Sequence, residues 1–294
     1  MHPIGTLIFI CFALLVGIRL PAGDVSSLPA PAPTVTRPKP TTEALFSNLV
    51  VRLAWVKAHP PANQYTYTRT RSSEELDEKG KVKESQEKTQ HFLPIKGYPF
   101  ARVVSVNGKP LTGKELMAEQ EREIKARHAA AAGVRPVIAT EPPPKKEYAL
   151  TADMFERFNF TLTGLEKVNG RDTWALTFAP RSKDLPVKQF KDRVINKLAG
   201  KLWIDAEEYE LVRTELGLTE SVSLVGGIVG TLRKFDYSLG RVRAEGGAWF
   251  TARSELVIQG REVVRNRHLR FRTEEKNFQK VRSGEAPLTP GAEQ

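Results

Sequence analysis

Residues 172–179 read DTWALTFA, and this stretch decides the fold. Trp174, Leu176 and Phe178 leave one side of an extended chain, while Ala175, Thr177 and Ala179 leave the other. A period of two is the signature of a half-buried β-strand, because successive side chains point to opposite faces of a sheet. The alternation recurs at Val229, Thr231, Arg233, Phe235 and Tyr237, opposed by Gly230, Leu232, Lys234 and Asp236. It recurs again at Phe250, Ala252, Leu256 and Ile258, opposed by Thr251, Arg253, Glu255 and Gln259. From Phe158 to Val281 the chain is therefore a ladder of strands with one apolar face, and that face needs a cover.

The remaining elements read outward from this ladder. Thr41, Thr42 and Glu43 are helix-start residues ahead of an apolar run. Leu45, Leu49, Leu53 and Val56 recur at helical spacing, broadened by Phe46, Val50 and Trp55, until His59, Pro60 and Pro61 stop the helix. So wide a stripe predicts a helix over Glu43–Lys57 packed on the sheet. Gln64–Ser73 alternates tyrosine and arginine with threonine and predicts a strand. Glu74–Gly80 reads as a turn, with Lys81–Phe92 returning and Phe100–Val106 ending at the turn pair Asn107 and Gly108.

Thr112–Ala132 is helical by propensity, with Glu121–Lys125 and Glu123–Arg127 spaced for ion pairs. Its only larger apolar residues are Leu116, Met117 and Ile124, which predicts a solvated, charged lever. Gln189–Leu198 reads as a short helix closed by Gly200. Strands are expected over Lys201–Asp205, Glu210–Leu218, Gly227–Leu239, Gly247–Gln259 and Arg261–Thr273. Ser221–Gly230 has two readings, a buried strand with a bulge or a flexible apolar flap. No strand–helix–strand alternation supports a doubly wound α/β fold.

Composition narrows the function classes. The chain has 294 residues and a formal net charge of +11, which favours anionic partners such as phospholipid surfaces. The basic residues are interleaved with acids, and no nucleic-acid-binding motif occurs, so nucleic acid is not an expected partner. The single cysteine, Cys11, lies in the first apolar run, and the five histidines have no ligand spacing. No metal, cofactor or catalytic residue is expected. Glu207 with Glu208, and Glu274 with Glu275, read as ordinary solvated carboxylates.

Ile4–Ile18 is an apolar run followed by Arg19, too short for a membrane span of ~20 residues and suited to the core of a secretory signal. Cleavage is expected after Ala22 or Gly23, although no Lys or Arg precedes the run and Leu20 is large for its position. An uncleaved anchor is the alternative; a lipoprotein signal fits poorly, because Ile10 precedes Cys11. The organisation expected is a signal peptide at 1–23, a Pro-rich linker at 24–41, one domain at 42–281 with a helical insertion at 109–147, and a flexible tail at 282–294. Export to the periplasm follows from the leader.

A set of late motifs adds a resemblance. GKLWID at 200–205 is followed by a turn and LVRTE at 211–215; GAWF at 247–250 begins a strand closing at Gly260, and EKNF occupies 275–278. With the leader, the first helix and the meander, this resembles the outer membrane lipoprotein-sorting proteins of the LolA/LolB-like superfamily, over about Ala44–Val281. The resemblance implies an α+β fold, a strongly curved antiparallel sheet (incomplete β-barrel) with helices covering its concave face. It implies non-enzymatic binding of lipid or acylated lipoprotein in the apolar hollow between them. The strand faces supply the lipid-contact candidates Tyr65, Tyr67, Trp174, Phe178, Ile204, Leu216, Phe235, Phe250 and Leu256. An anionic membrane surface is a further partner class. The alternative is an envelope scaffold or protein-interaction module whose core is filled by its own side chains.

Overall fold

The computed structural model describes residues 38–134, 156–224, 230–262 and 265–281. The expected leader, most of the expected Pro-rich linker, the end of the expected insertion, the 282–294 tail and the glycine-rich part of Ser221–Gly230 lie outside them.

Among the described residues twelve strands form a single sheet. They are β1 (Tyr65–Leu76), β2 (Val82–Ile95), β3 (Tyr98–Val106), β4 (Lys109–Pro110), β5 (Phe158–Val168) and β6 (Arg171–Pro180), followed by β7 (Leu198–Asp205), β8 (Leu211–Leu218), β9 (Val222–Leu224), β10 (Gly230–Arg243), β11 (Trp249–Glu262) and β12 (Arg265–Lys280). Their spatial order is β4-β3-β2-β1-β12-β11-β10-β8-β7-β6-β5, with β9 paired to the start of β10. All pairings are antiparallel. Chain neighbours are sheet neighbours almost throughout, and the first long strand joins the last, Arg69 standing opposite Glu275. The sheet is open, and its two edges are β4 and β5, the strands that flank the insertion.

Among the described residues three α-helices accompany the sheet: α1 (Thr42–Ala58), α2 (Gly113–Ala131) and the short α3 (Phe190–Ile195). Thr41 caps α1, its hydroxyl accepting from the Ala44 amide at 3.2 Å. Cross-strand register assigns every strand residue to one of two faces. Trp174, Leu176, Phe178, Ile204, Phe235, Tyr237, Leu256 and Tyr67 share one, the apolar face. Lys201, Trp203, Arg213, Glu215, Asp236, Glu255 and Arg272 share the other, the charged face.

The helices divide between these faces. α1 buries Leu45 and Leu49 against Trp174, Leu176, Ile204 and Ala206, on the apolar face. Val194 and Ile195, at the end of α3, join the cluster of Phe158, Phe178, Phe235 and Leu256 on that same face. α2 packs on the reverse side of the sheet, where Ala126 and Ala130 meet Leu93, Ile95 and Phe100. The alanines lack bulk, so the helix approaches β2 and β3 closely, and charge pairs fasten it. Arg102 donates to Glu123 at 2.6 Å, the Val103 amide donates to Glu119 at 2.7 Å, and Arg122 lies 4.2 Å over the Phe100 ring. Most of α2 is solvated, as its charge predicts, and Leu116, Met117 and Ile124 point outward, Met117 being 68% exposed; what the sequence reading lacked is the docking through Ala126 and Ala130.

Other boundaries move for identifiable reasons. Glu74 and Glu75 belong to β1 rather than to a turn, held by Arg270 and Arg267 of β12. Gly200 does not close a helix but lies within β7, where a Cβ would meet the Glu215 carbonyl and come within 2.7 Å of Leu216 Cα, so that glycine alone fits. Leu232, expected opposite Phe235, joins it in the core, since the register shifts between Leu232 and Lys234. The break placed at Gly260 and Arg261 lies inside β11, which continues to Glu262. α1 contacts the sheet along a narrower stripe than its sequence suggests, leaving Val50, Val51 and Trp55 exposed.

Candidate functional site

The lipid-contact candidates all lie on the apolar face, distributed over its three clusters. Tyr65, Tyr67 and Phe250 pack with Phe92 and Phe278, the Phe250 and Phe278 rings stacked with centroids 4.4 Å apart. Trp174 and Ile204 lie under α1. Phe178, Phe235 and Leu256 belong to the largest cluster, against which Leu216 packs half-buried. Apart from Leu216 these side chains are buried, so the face is filled by the protein's own residues.

The face is not continuously apolar. Thr214 on β8 stands beside Leu239 of β10, which pairs with Ser254, Thr273 and Arg71 on the successive strands β11, β12 and β1. In the next row Glu275 pairs with Arg69, and Arg69 with Gln90. Thr214, Ser254, Thr273, Glu275 and Gln90 are all buried. A polar band therefore crosses the sheet between the Phe235 cluster and the Tyr67 cluster. Burial drives the Glu275 carboxyl above its usual range, and Arg69, whose Nε donates to it at 2.6 Å, offsets this only in part. Burial likewise raises the Tyr237 phenol well above its ordinary value, opposed by nearby Arg241.

A second ionic assembly ties α1 to one end of the sheet. Glu210, fully buried, accepts from Arg52 of α1 at 2.7 Å and from Arg241 of β10. Glu208 accepts from Arg243 and from the Trp249 indole, each at 2.7 Å. Asp205, also fully buried, receives Arg171 at 2.6 Å. Burial pushes Asp205 upward, but the Arg171 hydrogen bonds and the Glu208 and Glu207 amides outweigh it and hold the carboxyl below its usual range. Sequence reading missed this assembly and took Glu208 and Glu275 for solvated carboxylates. Their partners lie up to about two hundred residues away in the chain, as with Arg69 and Glu275, and only strand pairing brings them together. The one usable signal was the pair of arginines at Arg69 and Arg71, standing where β1 would otherwise continue an apolar face.

The charged face carries an open groove of about 820 Å³ over β7, β8, β10 and β11. Ala199, Gly217 and Gly240 contribute small residues; Arg213, Glu215, Lys234, Asp236 and Glu255 contribute charge, largely neutralised by internal pairs. Among the described residues no cluster of His, Cys, Asp and Glu is placed to hold a metal ion, and no helix is long and apolar enough to cross a membrane.

No family model matches the sequence, and no curated protein matches it. The chain is similar to solved structures. A DUF1329 family protein from Desulfovibrio piger is 12% identical, with 84% of this chain and 94% of that one covered and a TM-score of 0.30. A domain named for outer membrane lipoprotein sorting, from Vibrio parahaemolyticus, is 12% identical over 81% and 94% of the two chains, with a TM-score of 0.29. A LolA superfamily protein from Nitrosomonas europaea is 9% identical over 85% and 96%, with a TM-score of 0.24. At such identities and TM-scores the likeness carries no argument about activity, and the functional reading rests on this chain's own side chains.

Proposed function

We propose that this protein is a non-enzymatic, exported binding protein of the bacterial envelope that takes up an acyl chain, of a lipid or an acylated lipoprotein, on the apolar face of its sheet. In this reading residues 42–281 form one domain whose sheet curves around that face, and α1 is the movable cover. The observation that carries it is the slight attachment of α1. Two leucines, Leu45 and Leu49, are its only buried residues, and Arg52 is its ionic tether to Glu210. Beneath it lie Trp174, Leu176 and Ile204, an apolar floor onto which Phe46 and Leu53 of the helix also pack, half-buried. Transfer of an acyl chain onto such a floor is favourable by ~0.8 kcal/mol per CH₂, so a chain of ordinary length can compete with so small a helix contact. Tyr65, Tyr67, Phe178, Leu216, Phe235, Phe250 and Leu256 extend the contact surface beyond the helix.

The test is organic extraction of the full-length protein purified from the envelope fraction of its bacterium, followed by mass spectrometry. Delipidated protein is then titrated with a fatty acid carrying a bromine quencher. Co-purifying acylated lipid is expected, as is quenching of tryptophan fluorescence that Trp174→Phe removes; neither extractable lipid nor quenching would sink the reading.

The scaffold reading is favoured by a different observation, the burial of the candidate residues by the protein itself. Here α2 presents Leu116, Met117 and Ile124 to a protein partner. Substitution of all three by lysine abolishes partner capture in that reading and leaves acyl-chain uptake intact.

A further inference from the structure

The two edges of the sheet are finished differently. β4 is two residues long and consists of Lys109 and Pro110, both of which discourage further pairing. Behind it, α2 caps the backbone of β3: the Val103 amide donates to Glu119 at 2.7 Å, and the Ala101 carbonyl accepts from Arg122. β5 runs for eleven residues, and among the described residues no strand adjoins its outer side. From Phe158 to Leu165 it has neither charge nor proline. Asn169 and Gly170, both at positive φ, make a two-residue turn that fixes Val168 and Arg171 as a hydrogen-bonded pair. Counted back through the register and its bulge at Gly164, the amides and carbonyls of Leu162, Leu165 and Lys167 point away from β6. An open edge of this kind is a template for another strand.

The surroundings specify that strand. On the apolar side Leu165 is 40% exposed and Val50 of α1 44%. Val50 lies one helical turn beyond Phe46, whose ring meets Phe160 of β5 at 4.5 Å, so the helix makes an apolar shelf beside the edge. On the other side Asn159, Thr161 and Thr163 are exposed and neutral. At the start of β5 the Arg181 amide donates to the Arg157 carbonyl at 2.9 Å, and Arg157 donates to the Pro186 carbonyl at 3.2 Å, which holds the 181–189 loop there. Arg157 and Asp192 neutralise each other. The loop and α3 then expose Arg181, Lys183, Lys188 and Arg193, against Asp184 of the loop and Glu156 ahead of β5. This end of the edge is therefore cationic.

We propose that the β5 edge is a docking site for an extended segment of an acidic partner protein, which adds to the sheet as a further strand. Every second side chain of that segment is apolar and lies on the shelf of Leu165 and Val50. In the antiparallel sense of every other pairing in the sheet, its carboxylates follow the apolar stretch and meet the basic loop at the Phe158 end. A second copy of this chain fits less well. Twofold pairing of β5 with itself sets each basic loop against the Lys167 end of the other copy, where Glu166 and Asp172 are already paired with Lys201 and Lys167. The site is separate from acyl-chain uptake and from the outer side of α2.

The test uses the full-length protein and three synthetic peptides that alternate valine and threonine. One ends in three aspartates, one ends in three lysines, and the third is the aspartate peptide N-methylated throughout its alternating part. Binding is followed by fluorescence anisotropy and by amide exchange in NMR spectra. The aspartate peptide is expected to bind and to slow exchange of the Leu162 and Leu165 amides about tenfold or more. N-methylation removes the incoming donors and should weaken binding about tenfold or more. The lysine ending, or the double variant Lys183→Glu with Lys188→Glu, should weaken it about three- to tenfold. No binding of the aspartate peptide at millimolar concentration overturns the proposal. Undiminished binding of the methylated peptide overturns strand addition, and equal binding of the two endings overturns the acidic partner. Leu162 and Leu165 amides already protected in dilute free protein show that the chain covers its own edge; protection that appears only as protein concentration rises shows that a second copy does. Either result overturns the proposal.

Discussion

Arg52 of α1 donates through Nε to Oε2 of Glu210 at 2.7 Å, across 158 residues of chain, and Glu210 has no exposed surface. Arg241 holds the other oxygen of the same carboxylate. The helix and the sheet thus share one buried charge, but they do not depend on it equally.

Arg52→Met removes the tether while Arg241 still neutralises Glu210. With Arg52 one-fifth exposed, the expected cost is about 1–2 kcal/mol, concentrated in α1. Hydrogen exchange should quicken in residues 42–58 and stay unchanged in β10 and β11. Glu210→Gln instead strands two guanidiniums and should cost about 3–5 kcal/mol of global stability by urea denaturation.

Leu49→Ala opens a cavity between α1 and Ile204. A loss of about 2–5 kcal/mol is the general expectation for such a site, the lower end applying if α1 detaches while the sheet stays folded. Coincident unfolding of α1 and sheet, followed by exchange and by Trp174 fluorescence, would contradict α1 as a separable cover.

Acid should loosen α2. Burial alone would raise the Glu123 carboxyl, but Arg127 and Arg102 hold it below its usual value, so its stabilisation is complete above the ordinary carboxylate range and fades as pH falls through the lowered one. His91, facing Arg102 and Glu123, is lowered by burial and by Arg102, with Glu123 opposing; its neutral form favours the fold, and this too weakens as pH falls below about 6.5. Both signs agree. Protection factors in residues 113–131, corrected for the intrinsic pH dependence of amide exchange, should therefore fall in two stages between about pH 7 and 3, and Glu123→Gln should remove the lower one.

Gly200→Ala places a methyl group against the β8 backbone and should destabilise by about 1–3 kcal/mol in denaturant titration. Met117→Lys, on the outward side of α2, should change stability by less than about 0.5 kcal/mol. The reverse ranking would mean that β7 and β8 are not paired in this register and that α2 docks by its other side.

Strand alternation was legible because it is local. Trp174, Leu176 and Phe178 declare their shared face within one segment, and the register places them together as read. α1 was legible as an element but not in its contact width: hydropathy counts Val50 and Trp55 as core, whereas the sheet reaches only Leu45 and Leu49 fully. α2 was misread because its docking stripe consists of alanines, arginines and glutamates, which no hydropathy pattern marks as a contact. The polar band could not be read at all. Thr214, Ser254 and Thr273 look like scattered strand residues until three separate pairings bring them into one row.

The sequence by itself determined the antiparallel strands, the first helix and the side from which each apolar residue leaves its strand, because these follow from backbone geometry over a few residues. Tertiary structure alone decided which strands adjoin, that β1 meets β12, and that α2 lies on the face opposite α1. It also decided that a charged and hydroxyl-bearing band interrupts the apolar wall. Those outcomes depend on the loop closures and side-chain fits that yield the best total burial, a sum over residues far apart in the chain.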